Sequence, residues 1–277
     1  MKAVVAAAIA ALLLAGPSQA QAPDQFRLEG TPRQGALLRG VAPPETVSLT
    51  IDGRDVPLAA DGRFLLGLDR DAGPAARLTA RLRDGGEVTQ ALGVATRAWR
   101  IQNINMARPA GGPTPEFARL REAELVRIGA ARRAGSASMG WAQRLIWPAR
   151  GRISGVFGSQ RVYRGGVPAA YHSGVDVAAG AGAIVVAPAD GIVVLAPPPS
   201  FSLEGNLVIL DHGMGLSSAF LHLSSASVRV GQMVRQGDQV GRVGMTGRAT
   251  GPHLHWSLVW NGARLDAQAA VGPMAAR

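Results

Sequence analysis

From Trp147 onward the chain is written in short, β-branched apolar runs cut by glycine, and that texture commits it to sheet. Ala183–Leu195 holds two such runs around the turn Ala189-Asp190-Gly191. Asn206–Gly213 reads as another strand and turn, and Val228–Gly241 repeats apolar residues between glycine turns. Runs this short cannot build several helical turns, and branched β-carbons suit a pleated surface. Residues 147–277 are therefore expected to form an almost entirely β domain.

The chain before it is organised differently. Residues 21–97 read as a small β-sandwich-like domain. Val47–Ile51 alternates apolar and polar before the turn pair Asp52-Gly53. Asp61-Gly62 precedes Arg63–Leu68, Leu78–Arg83 alternates again, and Glu87–Leu92 resumes after Asp84-Gly85-Gly86. With no histidine and no acids at ligand spacing, this part has a spacer or binding role by default. Residues 98–146 read as a linker containing one helix. Trp99–Met106 reads ambiguously, and Pro109–Pro115 breaks the chain. Thr114 then offers a cap, Pro115 a first helical position and Glu116 an early acid. Phe117, Leu120, Glu124, Leu125 and Ile128 lie near helical spacing, which predicts a helix over Pro115–Arg133 with its arginines and glutamates on a solvated face. Gly135–Gly140 is a small-residue connector.

Residues 1–20 carry Lys2, the apolar run Val4–Leu14 and a small-residue exit at Ala20, the pattern of an export signal; cleavage after Ala22 would leave Pro23 next and fits less well. No later segment is long and apolar enough for a permanent membrane span. Cysteine is absent, which excludes a lipid-anchored cysteine, disulfides and thiolate chemistry. The 29 basic residues against 19 acidic ones are spread along the chain with no basic block and few aromatics, so no nucleic-acid surface is expected. A diffuse positive field favours an anionic polymer, wall or membrane surface.

All five histidines lie between His172 and His255. In an extended His253-Leu254-His255 both imidazoles share one strand face, half of a metal site. His172-Ser173-Gly174-Val175-Asp176 adds an imidazole and a carboxylate. With His255 these make two nitrogens and one oxygen, a set suited to catalytic zinc with a position left for water. His212, just past a strand, reads as structural, and Asp211 fits a turn motif better than a ligand. No Gly-x-Ser-x-Gly elbow supports a serine hydrolase. The glycines of Gly241–Gly251 match neither nucleotide-binding pattern.

In order along the chain come Gly155-Val156-Phe157-Gly158, His172-Ser173-Gly174-Val175-Asp176 and Ala187-Pro188-Ala189-Asp190-Gly191. Asp211-His212-Gly213, His222-Leu223 and Thr246–His255 follow. From about Trp147 to about Asp266 this series resembles the M23 zinc metallopeptidases, the lysostaphin and LytM type that cut bacterial peptidoglycan. The resemblance implies an antiparallel β-sheet metallopeptidase domain with Zn2+ held by His172, Asp176 and His255. His222 and His253 would be a second, catalytic pair acting on water or oxyanion. It further implies peptidoglycan stem peptides as substrate, a periplasmic or secreted location with the Gram-negative periplasm favoured, and cell-wall or division proteins as partners. A D-alanine to diaminopimelate crosslink is favoured over a glycine bridge. Glu204 is the one glutamate of the second domain and no His-Glu-x-x-His occurs, which leaves the histidines to act as base.

Two positions depart from the family pattern. Phe220 stands where a tyrosine is usual, and Trp256-Ser257 follows His255 where many relatives carry Phe-Glu. The competing expectation is a non-catalytic regulator that activates cell-wall amidases. Such members typically lack metal ligands, whereas this chain keeps the set.

Overall fold

A computed structural model describes residues 25–108 and 111–275. The export signal read over 1–20 lies outside them. The described chain is mainly β, with antiparallel sheets and one long helix.

Seven strands come first: β1 (Arg27–Glu29), β2 (Leu37–Val41), β3 (Thr46–Ile51), β4 (Arg54–Asp55), β5 (Arg63–Gly67), β6 (Ala75–Leu82) and β7 (Glu87–Gly93). They form two antiparallel sheets, ordered β1-β2-β5 and β4-β3-β6-β7. The alternation in the sequence becomes the buried face: Leu38, Phe64 and Leu66 from one sheet and Leu49, Leu78 and Ala80 from the other share a core. Asp52 and Gly53 take φ of +48° and +75°, the paired left-handed residues that a tight two-residue hairpin requires.

Next come β8 (Ile101–Ile104) and the helix α1 (Pro115–Arg133). The helix starts where its signals put it, with Thr114 Oγ1 accepting from the Phe117 N–H at 3.2 Å. Its buried face differs from the one expected. Glu124, Ile128 and Ala131 are buried at i, i+4 and i+7, while Leu120, Leu125 and Val126 are exposed. Glu124 therefore leaves the solvated face that composition assigned to it. Its carboxylate accepts from the Ser202 N–H, the Ser202 hydroxyl and Arg121. Burial would raise its pKa, but those donors outweigh burial and hold it below its ordinary value.

The remaining strands begin with β9 (Arg152–Gly155), β10 (Gln160–Tyr163), β11 (Val167–Pro168), β12 (Val175–Ala178), β13 (Ile184–Val186) and β14 (Gly191–Leu195). β15 (Asn206–Gly213), β16 (Leu216–Leu223), β17 (Ser225–Ala226) and β18 (Met233–Val234) follow. Then come β19 (Gln239–Arg242), β20 (Leu254–Trp260), β21 (Ala263–Leu265) and the short helix α2 (Ala267–Val271). The large sheet runs β18-β14-β15-β16-β20-β12-β9, with β21 also on β20. β8 pairs in parallel with β10, so the ambiguous Trp99–Met106 stretch is tied to strands beyond the helix.

The two faces of the large sheet have different covers. One carries Val208, Phe220, Trp256 and Leu258 into the main core. The other carries Ile209, Ala219 and Leu221, against which α1 lays Ile128 and Ala131. Leu221 pairs across with His255, so α1 stands on the histidine side. The seven-strand amino-terminal part closes on the end of this sheet. Trp260 packs on Gly67, where an added Cβ would meet the indole at 2.9 Å, and Arg97 pairs with Asp266 at 2.8 Å.

Candidate metal centre

Three strands and one loop bring the site together. Asp176 on β12 and His255 on β20 are direct cross-strand partners, so their side chains leave the sheet side by side. His172 approaches from the loop before β12. Nε2 of His172 and Nδ1 of His255 lie 3.0 and 2.9 Å from Oδ1 of Asp176, and 3.0 Å from each other. This triangle is the group among the described residues that could hold a metal ion.

A hydrogen bond fixes which atom the His172 ring offers. His172 Nδ1 lies 3.1 Å from the Val156 carbonyl, which can only accept. In the neutral ring the proton therefore sits on Nδ1 and the Nε2 lone pair faces the triangle, whereas the charged ring donates from Nε2 to Asp176. For Asp176, burial pushes the pKa up, but bonds from His172 and His255 prevail and hold the carboxyl well below the usual carboxylate range. Burial also lowers His172, yet its bond and attraction to Asp176 leave its pKa raised overall. His255 is buried deeper, and that burial keeps its pKa below the ordinary imidazole value.

Two glycines make room for these groups, a role the sequence did not reveal. A Cβ on Gly155 would sit 2.2 Å from Asp176 Oδ2. One on Gly174 would sit 2.6 Å from His255 Nε2 and 2.5 Å from the Trp256 carbonyl. Neither glycine has a left-handed φ, so clearance alone requires them. Both stand in motifs visible in the sequence, Gly155-Val156-Phe157-Gly158 and His172-Ser173-Gly174-Val175-Asp176, and that was the available signal.

The other expected pair lies beside the triangle. His253 Nδ1 bonds the Gly251 carbonyl at 2.8 Å, and its Nε2 stands 3.7 Å from Asp176 Oδ1. The His222 ring centres 5.0 Å from His253 and 6.2 Å from His255. Simple alternation along β16 would turn His222 into the core on the same face as Phe220. Instead its φ is +63°, an uncommon conformation for a residue with a side chain, and this turn of the backbone brings the imidazole round to the histidines. The Glu204 carbonyl accepts from the His222 N–H at 2.8 Å, and the Thr246 carbonyl holds its Nδ1 at 2.8 Å. Burial lowers the His222 pKa.

The remaining candidates fall elsewhere. His212 is wholly buried, bridging the Asp190 carbonyl and the Ser218 hydroxyl at 2.8 Å each, with its pKa lowered by burial. Asp211 is buried within β15, outside the triangle. The Glu204 carboxylate is engaged at both oxygens by Arg121, at 2.5 and 2.7 Å, which removes it as a base. Phe220 faces the core opposite Trp256, both without solvent exposure. A hydroxyl at 220 would enter the core rather than the histidine cluster.

Residues 170–267 match the profile of Peptidase family M23. Over 71 residues, 26% of this chain, the sequence is 45% identical to the peptidoglycan DD-endopeptidase ShyA of Vibrio cholerae serotype O1, of which the match takes in 16%. Over 54 residues, 20% of this chain, it is 46% identical to 9% of the cell division protein DipM of Caulobacter vibrioides. The chain thus covers less than a fifth of these curated relatives. A crystal structure from Pseudomonas aeruginosa described as an M23 peptidase superposes with a TM-score of 0.67 at 29% identity, over 88% of this chain and 96% of that one.

Proposed function

The chain belongs to peptidase family M23, and on that premise we propose that it is a zinc-dependent endopeptidase that hydrolyses peptide crosslinks of peptidoglycan. One observation carries the reading: two imidazole nitrogens and a carboxylate oxygen converge at 2.9–3.0 Å, with a second histidine pair beside them. Tetrahedral zinc with bonds of about 2.0–2.1 Å spaces its donors by about 3.3 Å. The triangle is a few tenths of an ångström tighter, with the His172 lone pair already turned inward, so His172, Asp176 and His255 fit the ion. The relative ShyA, a peptidoglycan DD-endopeptidase by name, supports the substrate. That substrate in turn sets the place of action outside the cytoplasmic membrane. A role restricted to regulation would give the ordered second histidine pair no task.

Zinc bound there supplies a nucleophilic water ionising near pH 7 and polarises the scissile carbonyl. The residues of the chain do the rest. His222 and His253 each have Nδ1 tied to a backbone carbonyl, which leaves Nε2 to face the substrate. Burial favours the neutral form of His222, so its Nε2 can take a proton from the attacking water and return it to the leaving amine. His253 presents the same acceptor nitrogen, placed beside Asp176 to hold the attacking water by accepting a hydrogen bond from it. The carbonyl clamps hold both rings in one tautomer and save that ordering cost at the moment of reaction.

Incubating zinc-loaded protein with purified sacculi and resolving the released muropeptides tests the proposal. Crosslinked dimers should fall and monomers rise, with no change for His255→Ala. Undiminished crosslinking by protein carrying one equivalent of zinc would overturn it.

A further inference from the structure

We propose that helix α1, outside the family-matched segment, positions His222 through an Arg121–Glu204 ion pair; this rests on the peptidase reading above. His222 is the strained member of the cluster, since its left-handed backbone alone turns the ring toward the other histidines. Such a conformation persists only where neighbouring structure holds it. Two anchors do so: the Glu204 carbonyl on its N–H and the Thr246 carbonyl on its Nδ1.

Both anchors depend on one loop, residues 200–206. Thr246 Oγ1 accepts from the Asn206 N–H at 2.9 Å, and the Arg248 N–H bonds the Leu203 carbonyl at 2.9 Å. Gly205 and Gly247 pack backbone to backbone, so closely that a Cβ on either would collide. The loop that supplies the first anchor therefore also seats the segment that supplies the second.

Helix α1 in turn fixes that loop at three successive turns. Arg121 grips Glu204 through both carboxylate oxygens. Glu124 accepts from the Ser202 N–H and hydroxyl. Arg127 lies over the Phe201 ring at 4.7 Å, while Ile128 and Ala131 share an apolar cluster with Phe201. The Arg121–Glu204 pair is mostly buried, with side-chain exposures of 18% and 15%, so solvent screens it weakly. A fork-to-fork pair also defines direction as well as distance. Arg121 touches no histidine, and its effect on catalysis runs through Glu204 and the His222 backbone.

The test compares Arg121→Met and Glu204→Gln with Arg119→Met, a control on the exposed side of the same helix. With zinc bound, kcat on crosslinked muropeptide should drop about 10- to 100-fold for the first two, with KM and zinc content unchanged. Arg121→Lys, which keeps the charge and loses the fork, should fall between. A second readout needs no activity: a long-range proton–nitrogen spectrum of the protein labelled at its five histidines. His222 should leave the Nδ1–H tautomer in Arg121→Met while His212 stays in place. Wild-type kcat in both variants, or an unmoved His222 signal, overturns the inference while the peptidase reading stands. If Arg121→Met does not fold, Glu204→Gln and its His222 signal decide the matter. A wild-type protein without hydrolase activity refutes the peptidase reading instead, and the His222 signal still tests the clamp.

Discussion

Replacing Gly174 by alanine should weaken the metal centre without replacing a ligand. The new Cβ would stand 2.6 Å from His255 Nε2 and 2.5 Å from the Trp256 carbonyl. The carbonyl belongs to β20 in the middle of the large sheet, so the ring is the part free to yield. Restoring an ordinary 3.4 Å contact moves it by about 0.8 Å, against the ±0.2 Å or so that metal–ligand distances tolerate. Disturbing a group that orients a ligand typically costs about 10- to 100-fold in metal affinity, or about 1.4–2.8 kcal/mol. Zinc affinity measured by competition with a chromophoric chelator should drop by that factor. Overpacking also costs about 1–3 kcal/mol of stability, and melting of the zinc-free variant separates the two effects. Gly93→Ala, with nothing within 4 Å of its new Cβ, should leave both quantities near wild type. A Gly174→Ala protein that binds zinc within about threefold of wild type, against the tenfold or more expected here, would refute the steric reasoning.

Other consequences can be checked with the same preparations. His255→Ala should reduce bound zinc, read by elemental analysis, from about one equivalent to a small fraction. His222→Gln and His253→Gln should keep zinc yet lose about 10²–10⁴ in kcat, the usual worth of a proton-transfer group; an equal loss of zinc would make them ligands instead. In zinc-free protein His212, His222 and His255 are kept neutral by burial, with folded pKa values below 6.5. The unfolded chain then binds more protons as pH falls through 6.5, so urea midpoints should decline from pH 7.5 to pH 5.5. His172, with its raised pKa, works in the opposite direction and blunts the slope. His212→Gln should flatten the decline further, and a midpoint that rises on acidification would contradict the assignment.

What the sequence disclosed was local. Asp52-Gly53 announced its hairpin because two left-handed residues in succession are costly for other pairs. Thr114-Pro115-Glu116 announced the start of α1 because a helix end needs acceptors and a fixed φ within one turn. Alternation told which residues of β3 and β6 face inward. Contacts made far along the chain left no such trace. The burial of Glu124 depends on Ser202, 78 positions later, and nothing in the helix pattern announces that partner. The parallel pairing of β8 with β10 spans 59 positions and follows from no local period. His222 was legible as a candidate, but its backbone reversal was not, since alternation predicts the other face. The two site glycines stood in visible motifs, yet only coordinates show which atom each one spares.

The position of β20 in the sheet bears on when the site can exist at all. This strand, near the end of the described chain, sits in the interior between β16 and β12. Asp176 waits 79 residues for its partner His255. Pairings this distant in sequence form late, because loop closure must precede any reward. A chain still emerging, or one clipped before Leu254, holds His172 and Asp176 but not the third donor. Its sheet also has a gap at the centre rather than a frayed edge. Copies that stop before Leu254 therefore lack the complete donor triangle, which exists only once the last long strand has closed the sheet.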